Sequence, residues 1–420
     1  MKPVLIILFG IIPWFAFSQQ TLTLEACYTK AEENYPLAKQ SALLEEQTTA
    51  EISALGKERL PKLSLNAQAT YQSDVIEFPI ENPAFYVEPP NNDQYRATLD
   101  ANQLIYGGGS IDANIRLKTA ESLTRKQQVA VNLYTLKNRI NQIFFNVLLL
   151  QEQNKLLVSK MEDLDARSKE ISSGVKHGAI LPASKHLLQA EKLKLAQQLS
   201  EIDYNRRKAL DNLGALLAQD LDDETVLERP QNHTLSDHQS ERPELKLFEL
   251  RQMQLETSKE VISKANYPKI SGFAQAGYGN PGLNMLDNSF QDFYMVGVKL
   301  NWSILDWGTT KEKKQALDIS KAIVSTERET FVLNNNMQLK EAERDISKYE
   351  NLLQKDEEII ALREQVLEAV TSQFQNGAIT SSEYIIELNN LYGAKIDKQL
   401  HEIQLELVKA NYKVIKGDFK

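Results

Sequence analysis

The feature that most constrains the fold of this chain is an internal duplication. Leu60–Tyr71 reads LPKLSLNAQATY, and Tyr267–Tyr278 reads YPKISGFAQAGY. The two segments lie 207 residues apart, and the same offset relates Pro36 to Pro243. Self-similarity over a long, fixed offset indicates that one structural unit is present in two copies.

Glycine landmarks extend the duplication through the rest of the chain. Gly108 matches Gly308, and Gly178-Ala179-Ile180 matches Gly377-Ala378-Ile379 after spans of 70 and 69 residues. A chain of 420 residues would otherwise suit two or three ordinary domains. The shared order predicts a first repeat over 19–217 and a second over 243–420, joined by a linker over 218–242.

Each copy predicts a long helix followed by a shorter return helix. Apolar residues of the long segments alternate at spacings of three and four, which is typical of left-handed coiled coils. The long helices are expected over about 110–175 and 309–375, each ~100 Å long at 1.5 Å per residue. Return helices over 182–217 and 381–416 follow short glycine turns, so each pair forms an antiparallel hairpin. A proline-bounded helix over 37–59 is expected to lie end to end with the first return helix.

Four extended segments alternate polar and apolar residues and are predicted to be strands. They cover about 61–74, 95–106, 268–279 and 293–305. Their length of ~11–12 residues suits a tilted strand that crosses a membrane. A soluble four-stranded sheet is the competing interpretation. Six aromatic residues are candidates for girdles at the membrane interface, with burial in a core as the alternative: Tyr71, Tyr95, Tyr278, Phe293, Tyr294 and Trp302.

The N-terminus predicts export from the cytoplasm. Lys2 precedes an apolar run from Val4 to Phe17, and a polar stretch follows Ser18, which is the pattern of a secretory signal peptide over 1–18. The single cysteine, Cys27, is not expected to be a lipidation site, and it cannot close an intramolecular disulfide. A mean hydropathy of −0.40 argues against a bundle of membrane-spanning helices.

The composition and motifs favour neither nucleic-acid binding nor catalysis. A net charge of −9 lacks the basic balance that nucleic-acid partners require. Gly107-Gly108-Gly109 does not have the spacing of a nucleotide loop and is interpreted as a strand-to-helix connection. The five histidines are scattered, so no metal site, cofactor or enzymatic activity is expected.

These landmarks resemble the TolC family of outer-membrane efflux proteins over nearly the whole mature chain. The opening Leu22–Pro36 and the segment Phe374–Thr380, with Glu383 and the run to Tyr392, are similar to that family's first helix and second tip. The resemblance implies an α+β membrane protein that is a homotrimer, with a duplicated helix-strand-strand-helix unit. Three chains would form a twelve-stranded outer-membrane β-barrel, continued by a periplasmic α-helical coiled-coil barrel. The linker over 218–242 would form a belt around it.

The resemblance also implies functional residues. A periplasmic adaptor protein would dock on two tips, which consist of Gly178, Ala179, Ile180 and Leu181 and of Gly377, Ala378, Ile379 and Thr380. Glu383 falls where the family has an acidic ring near the closed end of the tunnel. The family's next acid is Ile386 here and its gating arginine is Ile379, so Glu387, Glu364 and Glu368 are possible substitutes. Helix ends and a solvated coiled-coil face are the alternative explanations of these residues.

The sequence therefore predicts a passive exit duct in the outer membrane. It would extend into the periplasm, contact outer-membrane lipid, and connect through the adaptor to an inner-membrane pump. The alternative function is a soluble periplasmic coiled-coil adaptor or scaffold. The sequence does not specify the transported substrate or the pump.

Overall fold

The computed structural model describes residues 21–77, 88–178, 180–230 and 242–418. The predicted signal peptide lies outside these residues, as does the greater part of the predicted linker. The described elements follow the chain in this order: β1 (Thr21–Leu22), α1 (Leu24–Asn34), a 3-10 turn (Pro36–Ala38), α2 (Lys39–Lys57), β2 (Lys62–Tyr71), β3 (Asp93–Tyr106), α3 (Ser110–Lys176), α4 (Pro182–Leu217), β4 (Val226–Leu227), α5 (Pro243–Ala265), β5 (Lys269–Asn280), β6 (Gln291–Asn301), α6 (Thr309–Gln375) and α7 (Ser381–Lys416).

The contacts divide the chain into two compact units, and each unit draws on both repeats. The helical unit comprises the described residues of Met1–Ala38, Asn132–Arg242 and Leu333–Lys420, and the strand unit comprises those of Lys39–Val131 and Pro243–Val332. The long helices α3 and α6 each contribute to both units. The two sequence repeats therefore do not coincide with the two compact units.

The strand unit contains one four-stranded antiparallel sheet in the order β2-β3-β5-β6. Each repeat supplies one hairpin, and β3 pairs with β5 to join the two hairpins. The hairpin end of the sheet is the end at which each pair of strands is connected by its loop. The strands β2 and β6 are the edges of this sheet.

The two faces of the sheet differ in polarity because successive side chains of a strand point to opposite faces. The register aligns Leu65, Leu99, Ala276 and Tyr294 across one face, here called the apolar face. Its aliphatic side chains are open to the surroundings, and Leu65 and Val296 are 78% and 72% exposed. The opposite, polar face aligns Ser64, Asp100, Gln275 and Met295.

The helical unit has a first core between α1, α3, α4 and α7. Thr23 caps α1 by accepting a hydrogen bond from the Ala26 N–H (3.2 Å), and the parallel pair β1–β4 lies beside this core. Asn141 is fully buried there, accepts the hydroxyl proton of Tyr28, and donates to Asn411 (2.8 Å). The amide is therefore satisfied inside an apolar core. The largest enclosed side chains are Ile140, Phe144, Phe145, Leu148, Leu210, Leu213, Leu217 and Leu227.

A second core of the helical unit joins the hairpin α3–α4 to the hairpin α6–α7. Leu157, Leu164 and Ile171 recur every seven residues along α3, and Leu188 and Leu195 do so along α4. They pack with Phe374, Tyr384, Ile385, Leu388 and Tyr392. This heptad spacing is that of a coiled-coil seam. No helix in the described part of the chain has an apolar stretch of the length needed to cross a membrane.

Candidate functional site

The first tip is the turn between α3 and α4. Gly178 has φ +75°, and its N–H donates to the Val175 carbonyl (3.2 Å). The N–H of Ile180 donates to the Gly174 carbonyl (3.2 Å), so the chain folds back over the last turn of α3. A Cβ on Gly174 would collide with the Ile180 side chain. Ala179 lies outside the described residues.

The second tip, between α6 and α7, also ends its helix at a glycine with positive φ. Gly377 has φ +71°, its N–H donates to the Phe374 carbonyl (3.1 Å), and the Ala378 N–H donates to the Gln373 carbonyl (2.9 Å). This pair of bonds is the Schellman motif, in which a left-handed residue satisfies the last carbonyls of a helix. A Cβ at Gly178 or Gly377 would meet nothing within 4 Å. Glycine is therefore favoured there by backbone conformation rather than by space.

At both tips the isoleucine packs inward, whereas Leu181 at the first tip and Ala378 at the second face outward. Ile180 and Ile379 are partly buried against the second core. Ala378 is exposed, and Leu181 is 75% exposed. The outward surface of each tip is thus carried by small residues and, at the first tip, by one large apolar side chain.

Glu383 is part of a capping box at the start of α7. The Thr380 N–H and hydroxyl both donate to Glu383 Oε2 (2.7 and 2.9 Å), and the Glu383 N–H donates to Thr380 Oγ1 (3.3 Å). The hydrogen bond from the Thr380 backbone N–H, followed by that from its hydroxyl, lowers the pKa of the Glu383 carboxyl. The capping role was missed at the sequence level, although Thr380-x-x-Glu383 is the signature of a capping box.

The other three acidic candidates have different surroundings. Glu387 on α7 forms an ion pair with Arg363 on α6 (3.0 Å), and Glu364 on α6 forms one with Lys395 on α7 (2.9 Å). Glu368 is exposed on α6. The structure therefore compensates the charges of Glu387 and Glu364 within the hairpin.

Two polar contacts that the sequence did not reveal connect α3 with α7. Arg167 Nε donates to the Tyr384 hydroxyl (3.1 Å), and the guanidinium lies 5.4 Å from the centre of that ring. The Tyr392 hydroxyl donates to Asp163 Oδ2 (2.7 Å). Burial, followed by the hydrogen bond to Asp163, raises the pKa of Tyr392, so this phenol stays protonated and keeps donating. These contacts join residues more than 200 positions apart, so no local sequence pattern predicts them.

The sheet separates the six aromatic candidates. The register places Tyr71, Tyr95, Tyr278 and Tyr294 on the apolar face, where Tyr95 and Tyr278 stack with Phe290 at centroid distances of 6.2 and 5.5 Å. Trp302 follows the end of β6 and is 53% exposed. The sequence grouped Phe293 with them, whereas the register places it on the polar face over Gly277. Phe293 and Tyr294 are adjacent, so they cannot share a face.

A family model matches the part of the chain that carries the first tip. It is that of the outer membrane efflux protein, and it matches residues 27–219. The second repeat has the same order of helix, two strands, long helix and return helix. The first repeat of the chain therefore matches the outer membrane efflux protein family. This match confirms the resemblance found in the sequence. It also confirms the predicted location of the protein in the outer membrane, with extension into the periplasm.

Solved structures share the fold of this efflux protein over 94% of the chain. VceC, an outer membrane protein of Vibrio cholerae, has TM-score 0.67 and 15% identity, with 96% of its chain covered. The CmeC outer membrane channel of Campylobacter jejuni has TM-score 0.65 and 15% identity, with 85% covered. The MtrE outer membrane channel of Neisseria gonorrhoeae, in its open state, has TM-score 0.64 and 15% identity, with 89% covered. Among curated protein sequences no match was found.

The predicted function agrees with the family match of the first repeat and with the fold comparisons. The protein is an outer-membrane efflux channel, and the alternative of a soluble periplasmic adaptor gains no support. The fold class predicted from the sequence is confirmed by the same comparisons.

Proposed function

We propose that three copies of this efflux protein close a twelve-stranded barrel, which passively conducts solutes out of the cell. The observation that carries the proposal is the apolar face of the sheet, whose aliphatic side chains are largely exposed in the single chain. Such a face suits contact with outer-membrane lipid. A four-stranded sheet has two edges, and unpaired backbone groups at an edge are not tolerated in hydrocarbon. Pairing β6 of each copy with β2 of the next removes every edge.

The aromatic residues of the apolar face fit this membrane placement. Tyr71, Tyr95 and Tyr278 cluster toward the hairpin end of the sheet, whereas Trp302 follows its opposite end. Tyrosine and tryptophan favour the two membrane interfaces, because one part of each side chain is apolar and another is polar. Tyr294 belongs to the same lipid-facing set, and Phe293 does not.

The energy for transport would come from partners. A periplasmic adaptor would dock on the two tips and connect the channel to an inner-membrane pump. The surface offered at the first tip includes Leu181, which is highly exposed and follows a glycine turn. Ala378 gives the second tip a small, exposed side chain, against which a partner backbone can approach closely.

The acidic residues near the tips would favour cations at the periplasmic end. Three copies of a carboxylate around an axis form a charged ring, which is a common basis of cation selectivity. Glu383 and Glu368 are the stronger members of the proposed set, because Glu387 and Glu364 are paired with basic side chains in the same hairpin. Glu383 keeps its negative charge while it caps α7.

Cell fractionation tests the assembly. The proposal predicts a protein that sediments with the outer membrane, requires detergent for extraction, and has the mass of three chains by light scattering after subtraction of the detergent. Recovery as a soluble monomer would contradict it.

A further inference from the structure

The charges of the sheet are unequally divided between its two faces. The register places Lys62, Arg96, Lys269 and Lys299 on the polar face, with Asp100 as the acidic residue among the strand residues of that face. The charges of the apolar face, Asp93 and Asp292, lie at the hairpin end. Four basic side chains against one carboxylate make the polar face electropositive, although the whole chain carries a net charge of −9.

Asp100 is held in place by donors from its own strand, β3, and from the two neighbouring strands, β2 and β5. Asn66 Nδ2 and Thr98 Oγ1 donate to Asp100 Oδ2 (2.7 and 2.9 Å), and Gln275 Nε2 donates to Asp100 Oδ1 (2.6 Å). All three donors are neutral, so they position the carboxylate without cancelling its charge. Asp100 therefore forms a fixed acidic point on the polar face.

Arg96 forms a separate point closer to the hairpin end. It lies four residues from Asp100 on β3, or ~14 Å along the strand at ~3.4 Å per residue. Its guanidinium lies 5.6 Å from the centre of the Phe293 ring, and Phe293 can lie against the strand because Gly277 beneath it has no Cβ. A cation over an aromatic face is held in position while it keeps its full charge.

We infer that the polar face lines the lumen of the barrel and that its basic residues make the barrel favour anionic solutes. Asp100 forms one acidic site at a single height along this lumen. This inference rests on the proposed trimer, since the three copies of each charged residue then form a ring around the lumen. A charged wall of low dielectric concentrates ions of the opposite sign. The membrane barrel and the acidic periplasmic end would then have opposite charge preferences.

Charged thiol reagents added to intact cells test the inference, because they reach the barrel without passing the periplasmic end of the channel. The native Cys27 is fully buried, and burial raises the pKa of its thiol to about 12, so it does not compete. Gln68→Cys places a thiol directly opposite Arg96, Ser64→Cys places one opposite Asp100, and Leu65→Cys is the control on the apolar face. Intact cells are treated with anionic 2-sulfonatoethyl methanethiosulfonate or cationic 2-(trimethylammonium)ethyl methanethiosulfonate.

The expected result is labelling at Gln68→Cys and Ser64→Cys but not at Leu65→Cys. The ratio of anionic to cationic labelling rates, each normalised to a small free thiol, is higher at Gln68→Cys than at Ser64→Cys. Adding Arg96→Gln lowers the ratio at Gln68→Cys about fivefold, as expected for loss of a unit charge at close range in water, whereas Arg96→Lys preserves it. The inference would be overturned if the ratio were equal at Gln68→Cys and Ser64→Cys and did not change with Arg96→Gln. Selective labelling of Leu65→Cys would also overturn it.

Ion selectivity of the purified trimer in planar bilayers provides a second measurement. Replacing both Lys62 and Lys299 by Gln is expected to lower the chloride-to-potassium permeability ratio about twofold, judged from the reversal potential in a KCl gradient. Asp292→Asn, on the other face, should leave it unchanged. An unchanged ratio in the double variant would reject the inference while leaving the duct intact. Failure to recover an outer-membrane trimer would instead reject the proposed function.

Discussion

The two tips share one backbone design but differ in what stabilises the helix that follows. Both have a glycine with positive φ and an isoleucine that packs into the second core. The second tip then begins α7 with the capping box of Thr380 and Glu383. The first tip begins α4 with Leu181 as N-cap and Pro182 after it, and leucine has no side-chain acceptor for the free N–H groups.

This difference separates the requirements of the turn from those of docking. The glycine and the isoleucine are common to both tips, so they define the turn itself. Leu181 is exposed at a position where a capping residue would stabilise the helix. We infer that the first tip gives up local stability for an apolar contact with the adaptor, whereas the second tip is stable without one.

The largest expected effect is loss of export in Ala378→Trp. Ala378 is exposed at the second tip, so a bulky side chain does not disturb a core but blocks close approach of the adaptor. Retention of fluorescent efflux dyes in complemented cells measures export, and gel filtration measures the trimer. Ala369→Trp, an exposed alanine on α6 before the tip, is the matched control. The same substitution at Ala179 should act alike at the first tip, and normal export in both tip variants would refute docking there.

Leu181→Glu is expected to slow dye efflux about tenfold, because burying a leucine in a partner is worth ~1.5–3 kcal/mol. The stability of the channel itself should not change, since Leu181 is exposed. Leu193→Glu provides the control, because Leu193 is also exposed on α4 but away from the tip. Equal effects of the two substitutions would remove the distinction between the tips.

Alanine at the tip glycines should cost stability equally at both turns. Gly178→Ala and Gly377→Ala each place a Cβ at positive φ, which costs ~1–2 kcal/mol. Faster limited proteolysis at the tip and a lower Tm of the purified trimer are the expected readouts. Gly393→Ala changes a glycine inside α7 with open space around it, and it should stabilise the helix by up to ~1 kcal/mol. A stabilising effect at Gly377 would contradict the left-handed turn.

The smallest effect concerns the cap and charge of Glu383. Glu383→Gln keeps an acceptor for Thr380 but removes the charge, so α7 should stay capped while cation preference in planar bilayers decreases. Glu383→Ala should lose both the cap of α7 and the cation preference. Because the folded-state pKa of Glu383 is lowered, its contribution to stability is complete above the ordinary glutamate pKa and declines as the pH falls through the lowered value. If Glu383→Gln leaves ion selectivity unchanged, the acidic ring is rejected.

Local patterns in the sequence located the regular elements well. The long helices α3 and α6 end within one residue of the expected positions, because heptads and turn glycines mark both. The strand over 293–305 was expected to run further than β6, which ends at Asn301. The side-chain alternation past that point does not reveal where hydrogen bonding to β5 stops.

Contacts between distant segments were beyond sequence reasoning. The bonds Arg167–Tyr384 and Asp163–Tyr392 depend on how two hairpins meet, and the parallel pair β1–β4 joins two-residue segments that have no strand pattern of their own. Two other features are predictable from the sequence, although the sequence analysis did not predict them. The capping box of Glu383 follows from its spacing to Thr380, and the opposite faces of Phe293 and Tyr294 follow from strand periodicity.

Disulfide cross-linking between β2 and β6 tests the central claim, that these edges pair between copies of the chain. Within one sheet the edges are three strands apart, ~14 Å at ~4.8 Å per strand, which is too far for an intramolecular disulfide. Cysteines introduced in pairs along β2 and β6 should therefore give covalent trimers on non-reducing gels at one register, and none at the others. Monomers alone across the whole series, from protein recovered in the outer membrane, would contradict the barrel.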